Sequence, residues 1–153
     1  MHIKRFSRAK RRVLSFAAAV LLAAGVIVSI PAAASAAGPC GSSYGLLKSY
    51  PMYHVVNGDL RGYLSIYYSS YTGRNCAVAT AAGIEVGVSR YRSVGIEIAG
   101  TNNMQFDGGY YSQYAGPVYT PVSRGRCITA WAFFNTTGGS KLAERWVTNA
   151  HCG

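Results

Sequence analysis

Leu60-Arg61-Gly62-Tyr63-Leu64-Ser65-Ile66-Tyr67-Tyr68 is the stretch that decides the fold class. From Tyr63 onward it alternates: Leu64, Ile66 and Tyr68 fall on one face, and Tyr63, Ser65 and Tyr67 on the other. A period of two is the geometry of a strand. Asn57-Gly58 stands between this run and Tyr53–Val56, which is the pattern of a hairpin with a two-residue turn. Downstream, Thr72-Gly73-Arg74 turns the chain into Asn75–Thr80, and Asp107-Gly108 and Arg124-Gly125 mark two later turns. Thr136 to Ser140 reads as a polar loop before a last short strand. Lys, Glu and Gln are few, while Gly, Tyr, Val, Ile, Ser and Thr dominate. Turn signals roughly every ten residues predict an all-β fold, a small antiparallel sandwich or barrel, and not a parallel α/β domain.

One further hairpin is expected about Tyr91. It would set Ile84 opposite Ile98, Val86 opposite Ile96 and Val88 opposite Val94, with every apolar residue on one face. The same register puts Glu85 opposite Glu97 on the other face, with Gly87 opposite Gly95 beside them. Two carboxylates beside a shallow groove are the layout of a retaining glycosidase. The competing expectation, which carries more weight, is an exposed edge where Arg90, Arg92 or water screens both acids.

Residues 1–36 read as a cleavable export signal. Lys4, Arg5, Arg8, Lys10, Arg11 and Arg12 form the charged start, Phe16 to Val28 the apolar core, and Ala34-Ser35-Ala36 a small-x-small cleavage site. Ala37 would begin the mature chain, and 37–153 a single secreted β domain. Val13 to Ile30 is nearly long enough to span a bilayer, but the cleavage site just beyond it argues against a permanent membrane anchor. Arg11-Arg12 matches a twin-arginine signal only loosely. The whole chain carries 15 Lys and Arg against 5 acids, a net of +10. Beyond the signal nine cations face the same five acids, a net of +4 with no basic run, which excludes a nucleic-acid binder.

The four cysteines, Cys40, Cys76, Cys127 and Cys152, all lie beyond the signal, and export favours disulfides. Of three connectivities, Cys40–Cys76 with Cys127–Cys152 is favoured because each closes a loop of a few tens of residues. Each bridge would contribute on the order of 3–4 kcal/mol. No C-x-x-C or other metal spacing occurs, and no phosphate-binding glycine motif, so neither metal nor cofactor is expected. His54, near Asp59 on a strand-like run, reads as a surface or packed residue.

Thr148-Asn149-Ala150-His151-Cys152 resembles the histidine segment of chymotrypsin-fold serine proteases, whose mechanism also needs a downstream carboxylate and a serine nucleophile. Neither follows His151 here, and no Gly-x-Ser-x-Gly occurs. All twelve tyrosines lie beyond the signal. Most are expected to fill the core and coat the sheets. Tyr110, Tyr111 and Tyr114 cannot all point the same way, and any exposed ring is a platform for a sugar or a protein.

Several segments together resemble a family of small secreted actinobacterial proteins typified by spore-associated protein A. They are Cys40-Gly41-Ser42-Ser43-Tyr44; Thr72-Gly73-Arg74-Asn75-Cys76-Ala77-Val78, which looks like that family's Thr-Gly-Lys-Asn-Cys-Ala-Val; Tyr114-Ala115-Gly116-Pro117-Val118-Tyr119; Gly125-Arg126-Cys127-Ile128; and the terminal His151-Cys152-Gly153. Their order and all four cysteines match, while Gly83 to Phe106 carries no resemblance. The resemblance implies an exported protein found with spores or in culture fluid, with no established enzymatic role or ligand. The function expected is a secreted spore- or cell-surface-associated protein without catalytic activity, its partner the spore or cell-wall surface. The alternatives are a module binding cell-wall glycan or polysaccharide, with Tyr110, Tyr111, Tyr114, Glu85 and Glu97 as candidate ligand residues, and a small glycan hydrolase using Glu85 and Glu97.

Overall fold

Eight strands form in chain order: β1 (Gly45–Tyr53), β2 (Leu60–Ser69), β3 (Arg74–Ala81), β4 (Arg90–Ile98), β5 (Gln105–Tyr111), β6 (Tyr114–Tyr119), β7 (Ile128–Asn135) and β8 (Lys141–Ala150). The structure, a computed structural model, describes residues 37–153; the export signal read over residues 1–36 lies outside them. No helix among the described residues is long and apolar enough to cross a membrane.

The strands make two antiparallel four-stranded sheets, β1-β2-β3-β6 and β5-β4-β7-β8. Of the two expected architectures the fold is therefore a sandwich and not a closed barrel. At one side the β5–β6 turn carries the chain from one sheet to the other; at the other side a bridge between His54 and Ala143 joins the edges.

Alternation sets the faces. Along β7, Ile128, Ala130, Ala132 and Phe134 are buried, while Thr129, Trp131, Phe133 and Asn135 are half-exposed on the outer side. Leu64 and Ile66 of β2 are fully buried, as their phase requires, and Met52, Ala77, Ala79, Val94 and Ile96 complete the centre of the core. The core is rich in alanine, so few large side chains fill it. Phe134 is the largest apolar one, and it is seated against Gly62 of the facing sheet, where a Cβ would lie 2.5 Å from its ring. Removing that ring would cost about 3–5 kcal/mol.

A second, smaller cluster covers the outer side of the first sheet. There Cys40, Cys76 and Val78 are buried among Tyr44, Tyr67 and Tyr119. The Cys40–Cys76 bridge thus pins the segment before β1 to β3, while Cys127–Cys152 ties the start of β7 to the chain beyond β8. Both are the expected pairings.

Three local expectations differ. Asn57-Gly58 is not a two-residue hairpin turn: β1 ends at Tyr53, and the His54 amide donates to the Asp59 carbonyl across a longer loop. Asp107-Gly108 is not a turn but the middle of β5, opposite Val94 and Ser93; the chain reverses instead at Ser112 and Gln113. Asp107 lies in a strand because its carboxylate is held there by Tyr111 and the Gly116 amide. The third, the hairpin about Tyr91, bears directly on the candidate site.

Candidate functional site

The Tyr91 hairpin does not form. Gly83 and Gly87 take positive φ of 57° and 82°, values that favour glycine and bend the chain away from a strand. Gly83–Glu85 is a single 3-10 turn, and Ile84, Val86 and Val88, whose alternation suggested a strand, are exposed. The true partners of β4 are β5 and β7, with Glu97 opposite Thr129 and Gly95 opposite both Phe106 and Trp131.

Glu85 is consequently not a surface ligand residue. It is 1% exposed, and its carboxylate accepts from Arg90 Nε at 2.7 Å and Arg61 Nη1 at 3.4 Å, with Arg92 Nη2 at 3.7 Å. Screening by Arg90 and Arg92 is thus real, but it happens inside the protein. Burial lowers the Arg92 pKa, Glu85 opposes that shift, and Arg90 adds to it. Glu97 points outward from the other face of β4, so the two acids do not flank a groove and the two-carboxylate hydrolase has no site.

The tyrosine candidates divide. Tyr111 is half-buried, and its hydroxyl donates to Asp107 Oδ1 at 2.8 Å, while Asp107 Oδ2 accepts from the Gly116 amide at 2.7 Å. That hydrogen bond, with some burial, raises the Tyr111 pKa. Tyr111 and Tyr114 line an open groove of about 660 Å³ between β5 and β6, together with Phe106, Asp107 and Pro117. Tyr110, 71% exposed, turns away from the groove onto the outer face of the second sheet, edge-on to Tyr91.

The two histidines among the described residues, His54 and His151, are both engaged in local contacts. His54 Nδ1 accepts from the amides of Val56 and Asn57 and so caps its own loop. Asp59 beside it is taken by Arg61 and Asn57. His151 Nε2 lies 3.0 Å from the Tyr50 hydroxyl. Burial and then the nearby Lys48 cation lower its pKa, the reverse of what an orienting carboxylate would do. Among the described residues no group of three or more His, Cys, Asp or Glu side chains could hold a metal ion.

The sequence alone did not reveal an aromatic row on the second sheet. Phe106, Gly95, Trp131 and Trp146 lie side by side across β5, β4, β7 and β8 on the outer face of the second sheet. Trp131 lies over Gly95, where a Cβ would come within 2.5–2.7 Å of its indole ring. Trp146 and Phe133 pack against Trp131 with ring centroids 6.1 and 5.0 Å away. The signal was present in the period-two phase of β7, which puts Trp131 and Phe133 opposite in sense to Ala130 and Ala132.

The chain is 30% identical over 140 residues to Spore-associated protein A of Streptomyces coelicolor (strain ATCC BAA-471 / A3(2) / M145), a match covering 86% of this chain and 81% of that protein. No family model matches the chain, and no solved structure does. The segments that carried the family resemblance have structural work. Thr72 Oγ1 bonds the Tyr44 hydroxyl, and Asn75, Thr120 and Ser123 form a buried hydrogen-bonded knot. Cys76 and Cys152 each close a bridge.

Proposed function

We propose, from the premise that the chain belongs to the spore-associated protein A family, that it is an exported protein held at the spore or cell surface and that it performs no catalysis. The observation that carries the second half is the disposition of its five carboxylates. Asp59 and Glu85 are engaged by arginines, Asp107 by Tyr111 and a backbone amide, and Glu144 by Lys141. Glu97 stands on an open sheet face, which it shares with Glu144, the acid already held by Lys141. General acid–base chemistry needs a group within reach of a substrate pose, and acids spent on holding loops do not supply one. The export half rests on the signal read over residues 1–36 and on the two bridges, which persist in an oxidising compartment.

The test is fractionation of a sporulating actinobacterial host expressing the chain, into cytosol, washed cell wall, spores and culture fluid, with N-terminal sequencing of the product. The reading expects protein on spores, wall or in culture fluid, beginning at Ala37. Retention in the cytosol with residues 1–36 intact would overturn it.

A further inference from the structure

We infer that the outer face of the β5-β4-β7-β8 sheet binds a neutral β-1,4-linked polysaccharide laid flat across its strands. This deepens the surface-association reading and rests on it. Phe106, Trp131 and Trp146 stand in one row, with Gly95 between the first two. Neighbouring strands are about 4.8 Å apart, so the row runs over three strand intervals, enough for a few sugar rings. Phe106 is 68% and Trp146 50% exposed, which leaves ring surface at both ends of the row. The missing side chain at Gly95 lets Trp131 lie down on the backbone, and this keeps the floor between the outer rings low. A second glycine repeats the device: a Cβ at Gly108 would sit 2.8 Å from the Tyr91 hydroxyl, whose ring reaches over it toward Tyr110.

The chemistry of the face selects the occupant. β-1,4-linked pyranoses with equatorial hydroxyls expose C–H groups on the flat faces of each ring, which stack on aromatic rings, and hydroxyls around the rim. Between and beside the aromatic rings this face offers the hydroxyl of Thr129 and the carboxylates of Glu97 and Glu144. Charged side chains are depleted from the centres of protein–protein interfaces, which argues against a second copy as the occupant. Glu97, Glu144 and Lys141 give the face one net negative charge, although the nine cations and five acids beyond the signal leave a net of +4. An anionic wall polymer or lipid surface would therefore be drawn to other parts of the domain.

The experiment is retention of the purified protein, taken from whichever fraction holds it, on chitin, cellulose and unsubstituted β-1,4-xylan at low and high salt. Chitin tests an amino-sugar chain, and cellulose and xylan test plain neutral chains. Retention on at least one, unaffected by salt and weakened about tenfold by Trp146→Ala or Phe106→Ala with melting unchanged, is expected. Tyr114→Ala, in the groove, should leave retention intact. No retention on any of the three, or retention indifferent to both ring deletions, overturns the inference. So does a dimer in solution that Trp146→Ala dissociates, since the face would then be a self-interface. Spores that still hold Trp146→Ala protein would sink this inference alone, whereas glycan-binding protein confined to the cytosol would sink only the surface assignment.

Discussion

Arg92 and Glu85 meet inside the sandwich although they stand seven positions apart in the chain: Nη2 of Arg92 donates to the Glu85 carbonyl at 2.8 Å and stands 3.7 Å from its carboxylate. Arg92 also donates to the carbonyls of Val88 and Tyr111, so one guanidinium fastens the β3–β4 loop to the end of β5. Because Arg61 and Arg90 converge on the same acid, Glu85→Gln would leave Arg90 and Arg92 without this countercharge and Arg61 with Asp59 alone. Breaking a buried pair costs about 3–5 kcal/mol. Thermal denaturation should show a melting temperature lower by on the order of 10 °C. A change within a degree or two would mean that the cluster is solvated and the acid dispensable.

The two bridges should contribute unequally to local order though similarly to stability. They span 36 and 25 residues, for which the chain-entropy relation gives on the order of 3–4 kcal/mol each. Replacing Cys127 and Cys152 by serine frees the chain after β8, while replacing Cys40 and Cys76 uncovers Tyr67 and Tyr119. Amide hydrogen exchange should therefore rise around residues 149–153 in the first variant and along β3 in the second. Non-reducing peptide mapping should recover Cys40 joined to Cys76; a Cys40–Cys152 product would contradict the fold.

Strand content was legible because alternation and turn residues act locally. Leu64 and Ile66 announce their face, and Thr72-Gly73-Arg74 and Thr136–Ser140 turn where they read as turns. The Tyr91 hairpin failed because Ile84, Val86 and Val88 alternate without being buried. Nothing in a periodic pattern reports that Glu85 will be captured by Arg61, twenty-four residues away. The aromatic row was hidden for a related reason. Phe106, Trp131 and Trp146 become neighbours only through strand order, and β5-β4-β7-β8 is not a sequential order. The tyrosines drew attention by number, yet none of the twelve is fully buried and only Tyr111 and Tyr114 of the candidates share a groove.

His151 should titrate below the ordinary histidine value of about 6.5, chiefly because it is partly buried and secondarily because Lys48 is near. The unfolded chain then takes up the proton first. Stability contributed by neutral His151 is complete above about pH 6.5, declines as pH falls toward the native pKa, and levels off below it. Ring-proton titration by NMR measures this directly. Lys48→Met should raise the pKa slightly, and opening the Cys127–Cys152 bridge should raise it further by exposing the ring. A native pKa above the ordinary value would mean that a carboxylate, and not Lys48, dominates its surroundings.

Gly62 and Gly95 offer a paired test of the core and of the outer aromatic face, because each leaves a gap filled by a ring of β7 and each gap would be closed by one methyl. At Gly62 the added Cβ would lie 2.5 Å from both Phe134 and the Thr80 carbonyl oxygen. Phe134 is fully buried and the carbonyl belongs to the sheet, so neither can retreat. Overpacking of this kind costs about 1–3 kcal/mol, and Gly62→Ala should fall at or above the upper end. At Gly95 the obstacle is the Trp131 ring, which is half-exposed and can lift toward solvent. Gly95→Ala should cost about 1 kcal/mol or less, partly offset by the gain from removing a strand glycine. It should nonetheless shift tryptophan fluorescence, because Trp131 leaves the sheet surface and disturbs Trp146. Urea denaturation of both variants ranks them. If Gly95→Ala proves the costlier, the outer rings are packed as tightly as a core, and the face is a buried surface that awaits a protein partner in place of a sugar.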